Sequence, residues 1–268
     1  VAEGVDLAVI KFSSNSNYPL AQLGEYSPKS LDLVFVGGFP GREKINSPLW
    51  QWQLNPGFMT EKETGKLLIQ NNQSFSNGYD LIYTSISHGG MSGGPVFDTE
   101  GKVIGIHGRA EITEKKSVML GGSLGVSIQT FTGLATKLQV NPQLLKIAKN
   151  SPVELNPIDR STIMAAIENI PQPQAQDSGE RWLAYGNQLY RSRQYDKSVI
   201  AFDRAISKDK VLAGNYGKAL SLNRSQEYDL AEIAFARAIA VVPASKRAQY
   251  YYFWKYQSAN FMESAKYD

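Results

Sequence analysis

The segment of this 268-residue chain best suited to chemistry is Gly90-Met91-Ser92-Gly93-Gly94-Pro95. A serine acts as a nucleophile when its hydroxyl stands on a tight, exposed turn. Backbone N–H groups beside it must converge where a tetrahedral oxyanion would form. Glycines permit that close approach and the unusual backbone angles it requires. The chemistry would be acyl transfer. On spacing alone, a glycine-rich hairpin with an incidental serine is the other reading. Asp6-Leu7-Ala8-Val9-Ile10 lies 86 residues before Ser92 and by itself is an ordinary strand with a polar lead-in. The chain holds two histidines, His88 and His107, and no cysteine. That excludes a thiol nucleophile, a disulfide scaffold and cysteine-based metal sites. Two histidines are too few for a His-rich metal centre, so neither metal nor cofactor is expected.

The Ser92 segment resembles the Gly-x-Ser-Gly-Gly-Pro motif of trypsin-like serine proteases. Its sequel, Val96-Phe97, a turn at Gly101, and Val103-Ile104-Gly105-Ile106-His107, resembles the strand pair that follows the nucleophile there. The resemblance implies Ser92 as nucleophile, with the N–H groups of Gly90 and Ser92 as the oxyanion hole. Asp6-Leu7-Ala8-Val9 is similar to the family's segment around the triad aspartate, which orients the histidine and stabilises the imidazolium. The resemblance therefore assigns that role to Asp6. The family's chain order is His, Asp, Ser, which puts the histidine about 40 residues before Asp6. No residue of this chain stands there. His88 and His107 both follow the aspartate and fall in the half of the fold that builds the specificity pocket. The chain is expected to hold the last strand of a first barrel and all of a second, and to be inactive alone.

Two further segments resemble the bacterial glutamyl endopeptidases: Val36-Gly37-Gly38-Phe39-Pro40-Gly41 and Gly105-Ile106-His107-Gly108. In that branch a histidine, with a hydroxyl residue five places before the nucleophile, reads a P1 carboxylate. The matching residues are His107 and Ser87, so the resemblance implies substrate binding there. Both can donate hydrogen bonds to a carboxylate. A buried core histidine is the alternative for His107, and Arg109 is a further source of charge. Met91 stands where trypsin itself has an aspartate. His88 is read as structural or at the pocket rim.

Composition shows what must position these residues. Residues 1–150 hold 19 of the 23 glycines and a net charge of +1. Short apolar runs alternate with turn residues at Val5–Phe12, Leu31–Val36, Lys66–Ile69, Tyr79–Ser85, Pro95–Phe97, Val103–Ile106 and Leu124–Ile128. Thr99-Glu100-Gly101-Lys102 reads as a hairpin tip. A closing helix is expected at Pro142–Lys149, with Asn141 as cap. This part is expected to be an all-β barrel. Residues 151–178 read as a linker, with a short helix at Asp159–Glu168 capped by Asp159.

Residues 179–268 read as all-α and repetitive. Tyr195, Tyr228 and Phe261 are spaced 33 and 33, as are Ser198, Ala231 and Ser264. Phe202 and Phe235, Ala205 and Ala238, and Gly186 and Ala219 share that spacing. Such a period marks a solenoid of helical hairpins. With Trp182, these positions resemble the tetratricopeptide repeat, whose period is about 34. The second helix of a third repeat is expected to begin near Met262 and to be cut short at Asp268. Tyr250-Tyr251-Tyr252-Phe253-Trp254 packs too many aromatics for one core face, so some are expected to be exposed or to stack on a ligand.

The sequence thus points to a serine endopeptidase domain, 1–150, joined by 151–178 to tetratricopeptide-like repeats, 179–268. The expected partners are a polypeptide substrate and a protein or peptide held by the repeats. The net charge of +3 is too small to point to nucleic acid. No apolar run is long enough to span a bilayer. The family leans toward a periplasmic or extracellular setting. The competing reading is a non-catalytic adaptor with a protease-like scaffold.

Overall fold

The computed structural model describes residues 3–41, 51–60, 76–112, 118–248 and 250–265. Two compact units form, one from 1–111 and 121–166, the other from 112–120 and 167–268.

The first unit is built on an eight-stranded sheet: β1 (Leu23–Gly24), β2 (Leu33–Gly38), β3 (Gln53–Phe58), β4 (Leu81–Tyr83), β5 (Pro95–Phe97), β6 (Val103–Ile112), β7 (Val118–Ser127) and β8 (Ile147–Ala148). The sheet is mixed, because β1 runs parallel to both β6 and β8. β3, β2, β5 and β6 pair in that order; β7 continues from β6, and β4 from β7. An isolated bridge between Met59 and Tyr83 returns the path to the end of β3.

Two apolar clusters line opposite faces of this path. Val34, Val36, Leu81, Tyr83, Met91, Val96 and Ile104 form one. Leu7, Tyr79, Ile82, Leu124 and Val126 form the other. The alternation of Leu81, Ile82 and Tyr83 between them is the strand period of two. All three are buried because both faces are covered. The register slips between Val96 and Phe97, so β6 carries one extra residue. Ile104 and Ile106 therefore join different clusters, and His107 returns to the face of Tyr83.

Several sequence expectations need correction here. Val5–Phe12 is not a strand. Leu7 is buried, but Val9, Ile10 and Phe12 are 41%, 86% and 70% exposed. A strand needs a neighbour for its N–H and C=O groups, and none pairs with this run among the described residues. The Leu124–Ile128 strand stops at Ser127, whose side chain accepts from the Thr130 N–H and caps helix α1 (Ile128–Leu134). Asp80 fixes that cap by accepting from the Ser127 N–H at 2.7 Å and its hydroxyl at 2.6 Å. Pro142–Lys149 forms a single 3₁₀ turn over Pro142–Leu144, capped by Asn141 as expected, and then β8. The later helix, α2, spans Pro157–Glu168. Its cap is Asn156, which accepts from the Ile158 and Asp159 N–H groups, rather than Asp159. The Lys66–Ile69 run lies outside the described residues. The hairpin tip forms: Gly101 has φ +77°, and buried Asp98 accepts from the N–H groups of Glu100 and Lys102.

The 167–268 part of the second unit carries consecutive helices: α3 (Gly179–Arg191), α4 (Tyr195–Ile206), α5 (Val211–Arg224), α6 (Tyr228–Ala240) and α7 (Tyr251–Ser264). Each packs on the next, as short connections dictate. Arg193 and Gln226 stand 33 residues apart in the left-handed region, at φ 65° and 64°. Each turns a hairpin with the same bonds: Arg193 N–H to Tyr190 O and Gln194 N–H to Leu189 O, then Gln226 N–H to Asn223 O and Glu227 N–H to Leu222 O. The repeated small residues allow close approach. A Cβ at Gly186 would lie 2.7 Å from the Phe202 ring, and one at Gly217 would lie 2.5 Å from it. Phe202 is fully buried between them. In the aromatic run, Phe253 stacks on Tyr216 with centroids 4.1 Å apart, whereas Tyr251 is 48% exposed. No described helix is long and apolar enough to cross a membrane.

Candidate active site

Ser92 stands on an exposed turn between β4 and β5. The turn needs its glycines. Gly90 has φ +99° and Gly93 +86°, which L side chains rarely adopt. A Cβ on Gly90 would also lie 2.5 Å from the Gly41 nitrogen, and one on Gly94 only 2.1 Å from Gly37 O. The Val36–Gly41 segment is therefore the floor beneath the Ser92 loop, tied to it by the Gly41 N–H bond to Gly89 O at 2.5 Å. Met91 anchors the loop from below. It is 1% exposed, and its sulfur accepts from the His88 N–H at 3.4 Å.

The N–H groups around Ser92 divide into two sets. Met91 donates to His88 O, Gly93 to His107 O and Gly94 to Met91 O. The N–H groups of Gly90 and Ser92 donate to no protein group among the described residues. These are the two N–H groups assigned above to an oxyanion. The turn is held by β6, since His107 N–H also donates to Gly94 O at 2.8 Å.

Asp6 lies on the surface of the same unit, next to buried Leu7. Its N–H donates to Asn77 O at 2.8 Å, and its Oδ2 accepts from the Tyr79 hydroxyl. Asn77 and Gly78, at φ 69° and 79°, form the turn that brings Tyr79 there. The Tyr79 ring covers Gly108, where a Cβ would lie 2.1 Å from it. Burial, then the Asp6 hydrogen bond and charge, push the Tyr79 phenol up to about 12, against the opposing charge of Arg109. Sequence reasoning missed Tyr79. The Asn77-Gly78 turn signature was its one visible signal.

Ser87 and His107 are buried, at 0% and 1% exposure. The Ser123 hydroxyl donates to Ser85 O at 2.8 Å, so it accepts from Ser87 at 3.2 Å. His107 Nδ1 lies 2.6 Å from the Tyr83 hydroxyl, which is also 3.2 Å from Leu124 O. His88 is exposed. Among the described residues no group of three or more His, Asp or Glu could hold a metal.

Residues 1–106 match a family described as the trypsin-like peptidase domain. The matched stretch takes in Asp6, Ser87, Gly90 and Ser92 and stops one residue before His107. The match covers less than half of the chain. No curated protein matches the chain. Among solved structures, the chain is similar to an HtrA-type protease solved with a tripeptide, at 17% identity and a TM-score of 0.36. That match covers 47% of this chain and 38% of the other, so the chain spans well under half of that protein's length.

Proposed function

We propose that residues 1–150 are a trypsin-like serine endopeptidase domain, with Ser92 as the acyl-enzyme nucleophile. The observation that carries this reading is the Ser92 turn: an exposed serine with two nearby N–H groups, of Gly90 and Ser92, that have no acceptor among the described residues, while the N–H groups of Met91, Gly93 and Gly94 are occupied. Donors held in place before reaction are worth most to a developing oxyanion. The match of residues 1–106 to the trypsin-like peptidase domain supports the same chemistry.

In the proposed reaction, Ser92 Oγ attacks a peptide carbonyl and its proton passes to a histidine. The oxyanion settles against the Gly90 and Ser92 N–H groups. The histidine then protonates the leaving amine, and water releases the acyl group. Asp6 steadies the histidine through its second carboxylate oxygen, the first being held by Tyr79. Neither His88 nor His107 suits the role of base, because His107 is buried against Tyr83 and His88 belongs to the loop itself. We read the strand path closed through Met59 and Tyr83 as the family's second barrel. An acidic P1 side chain would be read by His107 and Ser87, and Ser87 would have to exchange its bond to Ser123 for one to substrate.

We read α3–α7 as tetratricopeptide-like repeats that hold a protein or peptide partner, and 151–178 as the connection. The 33-residue recurrence of the α4 and α6 starts, of the left-handed turns and of buried Phe202 and Phe235 supports this.

The burial of His107 against Tyr83 favours one competing reading, a non-catalytic adaptor on a protease-like scaffold. A fluorophosphonate probe on the natural full-length protein separates the two. Labelling at Ser92 that Ser92→Ala abolishes supports the enzyme. A folded protein that takes no label is an adaptor.

A further inference from the structure

We propose that the outer face of α6 joins two copies of this chain about a two-fold axis, with their α6 helices antiparallel. The observation is a cavity of about 380 Å³ in the helical unit, opening between α4 and α6 over α5. Leu222 of α5 and Val199 of α4 give it an apolar floor. Leu230 and Ile233 of α6 line one side and remain 50% and 49% exposed. Covering these two side chains would remove apolar surface from water, which favours association.

The ends of the groove differ in charge. Ser225, at the end of α5, bonds Asp196 at the start of α4 at 3.3 Å, and Lys218 pairs with Asp203 further along. So α5 runs against α4, and α6 in turn runs against α5 and parallel to α4. Asp196 and Glu227, at the starts of α4 and α6, make one end acidic. Arg237 makes the other end basic, while Lys218 between the two ends is offset by Asp203. Neither Glu227 nor Arg237 has an ion-pair partner among the described residues.

Glu227, Leu230, Ile233 and Arg237 follow one another at steps of three, three and four, so they form one stripe along α6. Glu227 and Arg237 lie five residues on either side of Glu232. A two-fold axis there sets each opposite the other, with the apolar residues between. The partner's Arg237 then meets Asp196 and Glu227, while the partner's Glu227 meets Arg237. One stripe thus supplies both the groove's charge pattern and its complement, which is the requirement of an isologous interface. That self-complementarity is why the occupant is a second copy rather than an unrelated peptide.

The test is the mass of the 268-residue chain by sedimentation equilibrium at about 100 µM. A dimer is expected. Arg237→Glu and Glu227→Arg should each weaken it about tenfold, because symmetry repeats each like-charge contact twice. Both positions are exposed, so circular dichroism should stay unchanged. An equal mixture of the two variants should restore the dimer, since every contact then pairs opposite charges again. Three results overturn the proposal: a monomer at that concentration, a dimer that ignores both substitutions, or a mixture that stays as weak as its components.

Discussion

The Tyr79 hydroxyl donates to Asp6, and the Tyr79 ring occupies the space that a side chain at position 108 would need. The carboxylate proposed for the triad is therefore held by a phenol brought up from a turn more than seventy residues later. Burial and the Asp6 contact raise the phenol from 10 to about 12. A group whose folded value is raised stabilises the fold below its unfolded value and loses that contribution as pH climbs. Tyr79 should thus support the fold up to pH 10 and cease to do so by about 12. In Asp6→Asn the phenol should ionise at lower pH. Ultraviolet titration of tyrosinate, with Tyr79→Phe as the blank, measures this, and an unmoved titration would remove Asp6 as the cause.

Gly90→Ala should impair the Ser92 loop without touching its hydroxyl. The new Cβ would press on the Gly41 nitrogen at a φ that alanine disfavours. The Gly90 N–H would be turned away from the oxyanion. Loss of one such donor costs about 10²–10³ in rate. Fluorophosphonate labelling of the full-length protein should slow by that order, with thermal melting as the check on folding.

Asp98 is 3% exposed and takes three bonds: from the Tyr26 hydroxyl at 2.9 Å, and from the Glu100 and Lys102 N–H groups at 2.9 Å each. Asp98→Ala strands a buried phenol and loosens the tip between β5 and β6. Each buried donor left unsatisfied costs about 1–3 kcal/mol. Urea unfolding should show a loss of about 3 kcal/mol, and Tyr26→Phe in the same background should recover part of it.

Phe202 sits between Gly186 and Gly217, so the two directions of substitution should both destabilise. Phe202→Ala empties the space and should cost about 3–5 kcal/mol. Gly217→Val overfills it, with a Cβ 2.5 Å from the ring, and should cost about 1–3 kcal/mol. Gly217→Ala combined with Phe202→Leu should lose less than the two single changes added together. Additive losses in thermal melts would mean that the two residues do not share the space.

How far the sequence reached depends on the range of each determinant. The Ser92 turn was readable because its glycines record positive φ locally, at Gly90 and Gly93. The helical period was readable because Phe202 and Phe235 repeat the same local environment. Asp6 could be named only by resemblance, and its partner Tyr79 not at all, because the contact depends on how distant turns meet. The Val5–Phe12 run is as apolar as a strand should be, yet apolar residues do not create a neighbour to pair with. Ile128 reads from the sequence as strand because the Ser127 cap that starts α1 is set by Asp80, 47 residues before that serine. Ser87 and His107 read from the motif as substrate donors, and the motif could not reveal that Ser123 and Tyr83 engage them.

The matched left-handed turns at Arg193 and Gln226 bear on how this unit can be lengthened. Because the backbone leaves both in the same conformation and with the same pair of hydrogen bonds, the segment from one to the next is a cassette with interchangeable ends. Copying it in tandem adds a hairpin without building a new junction, and the added Phe202 equivalent arrives already facing its slot. Gene duplication and protein engineering would find the same seam.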